Sequence, residues 1–342
     1  MRRASTLVAV GAIGSLLTAC ERPPMESVQR GYRGDGQEQI INPRTFAALA
    51  AANQVPQALP QAPGGEPKAS TTFKNVQVLG DLSVAQLTRL MVSMTTWVAP
   101  SEGCAYCHKA GEDLSSDALY TKVVARRMLQ MTRQINGHWQ DHVGATGVTC
   151  YTCHRGNSVP QNIWFANPLS EDKVRYAGRR NQQNAPSSSV GFTALPFDPF
   201  TPYLENAGEV RVEATQPLPN GSGTTIMHTE WTYALMMHFS KALGVNCTYC
   251  HNTRQFASWE LSSPPRATAW YGIRMVRTLN HDYLASIDNV LPPERHGPLG
   301  DGPKINCTTC HQGAYKPLYG ASMLKDFPEL AGGAAAPSST SP

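Results

Sequence analysis

Eight cysteines fall into four copies of one pattern, Cys-x-x-Cys-His: Cys104/Cys107/His108, Cys150/Cys153/His154, Cys247/Cys250/His251 and Cys307/Cys310/His311. Two thiols separated by two residues can reach the two vinyl groups on one edge of a porphyrin as thioethers. The next residue then swings its imidazole under the iron as proximal ligand. A redox dithiol or half of a zinc site would use paired thiols, but neither needs the trailing histidine. Four closely spaced pairs would also be a poor disulfide framework for stapling loops. The repeated motif therefore predicts four covalently attached haem c groups, and an electron carrier rather than an enzyme with its own substrate.

Each haem needs a second face, and three of the motifs follow amphipathic segments that contain methionine. Residues 82–97 place Leu87, Leu90, Met91 and Met94 at helical spacing and end at Pro100. Residues 119–135 carry Val123, Val124, Met128, Met131 and Ile135; residues 230–243 carry Leu235, Met236, Phe239 and Leu243, with Gly244 as C-cap. A helix, a turn and then the motif lays a haem flat against the helix, where a thioether sulfur favours ferrous iron and raises the potential. Periodicity does not choose between Met91 and Met94, Met128 and Met131, or Met236 and Met237, and core packing is the commoner use of any one methionine. The fourth segment breaks the pattern. Residues 267–288 predict a helix with Trp270, Ile273, Val276, Leu279 and Ile287, but a Pro/Gly-rich stretch, 291–303, separates it from Cys307. Met275, His281, His296, His138 and His142 all stand as candidates for its sixth ligand. Trp97, Trp139, Trp231 and Trp270 are expected to pack around haem, and Tyr106, Tyr151 and Tyr249 to fill the attachment loops.

The ninth cysteine, Cys20, closes the string Leu17-Thr18-Ala19-Cys20. Met1-Arg2-Arg3 and an apolar run from Leu7 to Leu17 precede it, a basic and then hydrophobic sequence that predicts a secretory signal. The run is too short to span a bilayer comfortably. Small residues followed at once by cysteine resemble a bacterial lipobox, which implies cleavage before Cys20 and lipid attachment to its sulfur. The formal charge of +4 falls to +2 without residues 1–19, which carry Arg2 and Arg3. No basic stripe points to nucleic acid, and the mature chain is expected to be anchored to a membrane rather than to span it. With 28 Gly, 26 Pro and 16% charged residues, the expected fold class is mainly α with much irregular structure: a multihaem cytochrome c of four helix–turn–motif segments in two pairs. The expected divisions are a signal peptide (1–19), an extended N-terminal segment (20–80), the first two haem segments (81–156), a connecting segment (157–228), the second two (229–315) and a C-terminal tail (316–342).

Several stretches together resemble the tetrahaem cytochrome c subunit of purple-bacterial photosynthetic reaction centres. They are Lys74-Asn75-Val76 with Val78-Leu79-Gly80, Val-Val-Ala-Arg-Arg-Met at 123–128, Thr-Gly-Val-Thr-Cys-Tyr-Thr-Cys-His-Arg-Gly at 146–156, Ala234-Leu235-Met236-Met237, Trp-Tyr-Gly-Ile-Arg-Met-Val-Arg at 270–277, and Lys325-Asp326 with Pro328-Glu329-Leu330. The resemblance covers nearly the whole mature chain and implies Met91, Met128 and Met236 as sixth ligands of the first three haems. For the fourth it implies His142, in Asp141-His142-Val143, opposite His311, with His138 the nearest alternative. It also implies that Arg266 raises the potential of a neighbouring iron. The implied function is a relay on the periplasmic face of the inner photosynthetic membrane. Electrons from a soluble donor, such as cytochrome c2 or a high-potential iron–sulfur protein, would re-reduce the photo-oxidised bacteriochlorophyll special pair. The implied partners are the reaction centre L and M subunits, with H in the same complex. A multihaem reductase would need an open or variant site, whereas all four motifs here end in histidine. A quinol-linked cytochrome with two histidines per haem is permitted by the six remaining histidines, but the methionine-bearing helices argue against it.

Overall fold

The computed structural model of the chain describes residues 24–29, 38–166, 182–185, 187–213 and 224–332. Cys20 and the predicted signal lie outside the described residues. Helices joined by long irregular stretches carry the structure, and the only sheet among the described residues is an antiparallel hairpin of β1 (Glu26–Gln29) and β2 (Glu38–Ile41). Helix α1 (Pro43–Ala52) follows, with proline in its first turn and the Asn42 side chain accepting the Arg44 amide at 3.1 Å.

All three expected methionine-bearing helices form. Helix α2 (Val84–Val98) starts at a capping box: Ser83 Oγ accepts the Gln86 amide (3.1 Å) and Gln86 Oε1 accepts the Ser83 amide (3.0 Å). Its buried stripe includes Leu87, Leu90 and Trp97. Helix α3 (Tyr120–His138) is followed by the short α4 (Gln140–Val143) and by α5 (Cys150–His154), which is the second motif itself. Helix α6 (Ile226–Leu243) is capped by Thr225 and ends at Gly244, whose φ is +64°. A Cβ at Gly244 would lie 2.2 Å from the Gly313 carbonyl oxygen, so glycine lets the fourth motif approach this closely.

The fourth segment departs from the single helix expected over 267–288. Helix α7 (Pro265–Thr278) gives way to a π-helical turn (Leu279–Leu284) and then a 3-10 stretch (Ala285–Val290). At this transition the Asn280 side chain is buried. Its Nδ2 donates to the carbonyls of Leu204 (3.0 Å) and Ile305 (3.1 Å), and its Oδ1 accepts the Ile305 amide (2.9 Å). Helices loosen in this way where a side chain must reach out of the regular ladder. The fourth motif forms α8 (Cys307–His311).

A repeated plan relates α3–α5 to α7–α8. Asn136 of α3 holds Val148, two residues before Cys150, through both its amide and its carbonyl, and also donates to Leu330 O (2.8 Å). Asn280 does the same to Ile305, two residues before Cys307, and to Leu204. Arg133 donates to Glu329 O, and Arg277 to Tyr203 O. Gly156 N–H donates to Trp97 O of α2, and Gly313 N–H to Ala242 O of α6, both at 2.8 Å. The connecting segment thus supplies Tyr203 and Leu204 to one core, as the residues after 316 supply Phe327 and Leu330 to another. Nothing in the periodicity of either stretch predicts this, because the buried residues sit in single turns.

Candidate haem cavity

The helices and turns enclose one cavity of about 2400 Å³, lined by all eight motif cysteines and all four motif histidines. An ordinary small-molecule site occupies about 300–1,000 Å³, so this space suits several macrocycles rather than one. Met91, Met128, Met236 and His142 also line it, as do Met94, Met131 and Met275. Met237 does not reach it. Neither does His138, which is exposed at the end of α3 against Trp139. His281 is exposed as well; His296 does line the cavity, but both its ring nitrogens are turned to backbone carbonyls, those of Pro292 and Asp288.

Two local conformations present the motifs. The second and fourth are five-residue helices with capping boxes, Thr149 with Thr152 and Asn306 with Thr309. The first and third are looser 3-10 turns, Gly103–Tyr106 and Cys247–Tyr249. In every motif the histidine amide bonds back to, or closes a turn on, the first residues of the motif, and its side chain is then fixed from behind. Nδ1 of His108 bonds to Leu114 O (3.0 Å), His154 to Asn157 O, His251 to Phe256 O and His311 to Ala314 O (2.8 Å each). His142 is held identically, by Thr268 O at 2.8 Å. With Nδ1–H donated to a carbonyl, Nε2 keeps its lone pair for a metal, the tautomer a ligating imidazole requires.

Burial supports the same assignment of charge. It pushes His311 down to about 4, helped by the neighbouring His142, and it holds His142, His154 and His251 below the ordinary histidine value. Neutral imidazoles are therefore presented to the cavity at pH 7. Burial likewise pushes the thiols of Cys150 and Cys307 up to about 12 and Cys250 up to about 11.

The rings of His142 and His311 have centroids 6.1 Å apart and planes inclined at 68°. Two metal–nitrogen bonds of about 2 Å each, extended by about 1 Å from nitrogen to ring centre on either side, span about 6 Å. The pair fits one iron between them. Gly272 of α7 makes the room: a Cβ there would sit 2.5 Å from His142 Cε1 and 2.9 Å from Nδ1. A glycine in the middle of an amphipathic helix was the available signal for this contact, but on its own it does not name the residue that fills the space.

Paired thiols, backed neutral imidazoles and thioethers around one cavity define a c-type cytochrome. The family model described as photosynthetic reaction centre cytochrome C subunit matches residues 21–331. The photosynthetic reaction center cytochrome c subunit of Rubrivivax gelatinosus is 54% identical over 329 residues, covering 96% of this chain and 89% of its own length. That of Thermochromatium tepidum is 49% identical over 326 residues (95% and 80%), and that of Roseobacter denitrificans 41% over 338 (95% and 90%). The chain belongs to the photosynthetic reaction centre cytochrome c subunit family. As a member it binds haem c and serves electron transfer to the reaction centre with which it associates.

Proposed function

We propose that the chain carries four haem c groups as a relay, taking electrons singly from a soluble periplasmic donor and re-reducing the photo-oxidised bacteriochlorophyll pair of the reaction centre. The observation that carries this reading is one imidazole arrangement, Nδ1 on a carbonyl, at all five histidines proposed to hold iron around a cavity lined by all eight motif cysteines. Haem c supplies a one-electron iron couple whose potential the protein sets by ligand, burial and hydrogen bonding.

The proposed attachments are Cys104 and Cys107 with ligands His108 and Met91, Cys150 and Cys153 with His154 and Met128, Cys247 and Cys250 with His251 and Met236, and Cys307 and Cys310 with His311 and His142. The repeated Asn136 and Asn280 clamps support grouping these segments in two pairs. Two protein ligands per iron leave no position for a substrate, which favours transfer over reduction of a bound molecule. Arg266 is proposed to raise the potential of the haem on Cys247 and Cys250. Its guanidinium donates to Ser258 O (2.7 Å) and Ser262 Oγ (2.8 Å), lies over Trp259, and acts on both Cys250 and His251.

The proposed partners are the L and M subunits, with H in the same complex, and a small cytochrome or high-potential iron–sulfur protein as donor. No helix among the described residues is long and apolar enough to cross a membrane; lipid on Cys20 is the proposed anchor to the periplasmic face. Flash excitation of membranes tests the function. The c-type absorbance should bleach after photo-oxidation of the pair, and a band that never bleaches overturns the reading.

A further inference from the structure

Helix α3 and the run from α7 into its π-helical turn repeat one element, and the shared contacts fix their register. Arg133 and Arg277 each donate from Nε to a carbonyl of a distant segment, and Asn136 and Asn280 each clamp the residue two places before a motif. In that register the buried stripe coincides: Leu129 (5% exposed) with Ile273 (6%), and Ile135 (5%) with Leu279 (1%). Met131 coincides with Met275, and both line the cavity. Met128, five places before Arg133, coincides with Gly272, five places before Arg277.

The position that bears a thioether in one helix is therefore bare in the other, and His142 stands in the gap. Its Nδ1 is held at 2.8 Å by the carbonyl of Thr268, one turn earlier on α7. The three atoms nearest to a Cβ placed on Gly272 all belong to the His142 ring, with Nε2 at 3.3 Å. A methionine sulfur is two bonds from its Cβ, so Nε2 occupies the region such a sulfur would reach. Gly272 lies inside regular α7 and is not among the glycines with positive φ. Its backbone accepts a side chain; the imidazole is what excludes one.

We propose that Gly272 decides the ligand type of the haem on Cys307/Cys310. The missing side chain leaves the sixth position to His142, and methionine at 272 would replace paired imidazoles by imidazole and thioether, as Met128 provides in the equivalent helix. The exchange moves no electron, since a sulfur lone pair takes the place of the Nε2 lone pair. The proposal rests on the four-haem reading with His142 opposite His311.

Purified complexes holding the full-length chain test it. The readouts are carbon monoxide uptake when reduced, the methionine-to-iron charge-transfer band when oxidised, and a redox titration. His142→Ala should open one iron per chain to carbon monoxide. Adding Gly272→Met should close it again and strengthen the charge-transfer band by about one third, from three methionine-ligated irons to four. One component should then rise by at least about tenfold in reduction equilibrium over wild type, about 59 mV for one electron. If the double variant fails to accumulate, the register is tested from the other helix. Met128→Gly should open one iron that added imidazole closes, while Met131→Gly opens none. A double variant that still takes up carbon monoxide overturns the proposal. So does an iron opened by Met131→Gly instead of Met128→Gly, which would align the ligand with Met275. A His142→Ala chain that opens no iron removes the His142 reading and the proposal with it. Fewer than four haems per wild-type chain would instead sink the four-haem reading.

Discussion

At Gly272 the absence of a side chain sets the position of a ligand. In the interior of a helix, replacing glycine by alanine ordinarily gains about 1 kcal/mol. Here the added methyl would meet the His142 ring at 2.5 Å, and overpacking costs about 1–3 kcal/mol, so the clash wins. Gly272→Ala should therefore destabilise the protein and push His142 away from His311. One iron should become accessible to carbon monoxide in the reduced chain while the others stay closed. Denaturation curves with carbon monoxide difference spectra check this. A variant that gains stability and binds no carbon monoxide would show that His142 is not held by this contact.

Single elements show what could and could not be foreseen. Helices α2, α3 and α6 were legible because their apolar residues recur at helical spacing, with Pro100 after the first and Gly244 after the last. The break after Thr278 was not, because Asn280 looks like any polar helix residue until Leu204, 76 positions away, is placed beside it. The motif cysteines were legible as chemistry, but the carbonyls behind the histidines come from loops of different lengths, with no common residue type to search for. The loop behind His108 also makes a pH-dependent contribution. Arg126 grips both oxygens of Asp117 (2.5 and 2.8 Å), and Asn75 and Lys122 add to it. The hydrogen bonds from Arg126, first among these, hold the Asp117 carboxyl well below the usual carboxylate range. A carboxyl with a depressed folded value stabilises the fold above its unfolded value of 3.8 and loses that contribution as pH falls further. Asp117→Asn should thus be less stable than wild type at pH 7, with the gap narrowing by pH 3. A gap that does not change between those two pH values would show that the ion pairs contribute nothing.

Across the whole molecule, one buried cation ties the stretch between α1 and α2 to the residues before 332. Arg89 of α2 is 7% exposed. It donates to Pro60 O (2.6 Å) and Leu59 O (2.7 Å) on the N-terminal side and to Asp326 O (2.8 Å) on the C-terminal side. Its Nη1 lies 3.6 Å from Glu329, and its guanidinium carbon 4.0 Å from the Phe327 ring centre. These contacts hold two irregular stretches that have few regular backbone hydrogen bonds of their own. Removing one partner of a buried pair leaves the other charge without compensation and costs about 3–5 kcal/mol. Arg89→Met keeps much of the stem volume but strands Glu329, whose side chain is itself 3% exposed. The variant should lose stability on that scale and should be cut by protease in residues 54–66 and 324–332 long before wild type. Its haem content should be unchanged, because no attachment cysteine lies in either stretch. Mapping the first cleavage sites by mass spectrometry, with haem counted on the same sample, separates the outcomes. Early cleavage elsewhere, or resistance equal to wild type, would mean that these two stretches are held by their apolar contacts alone.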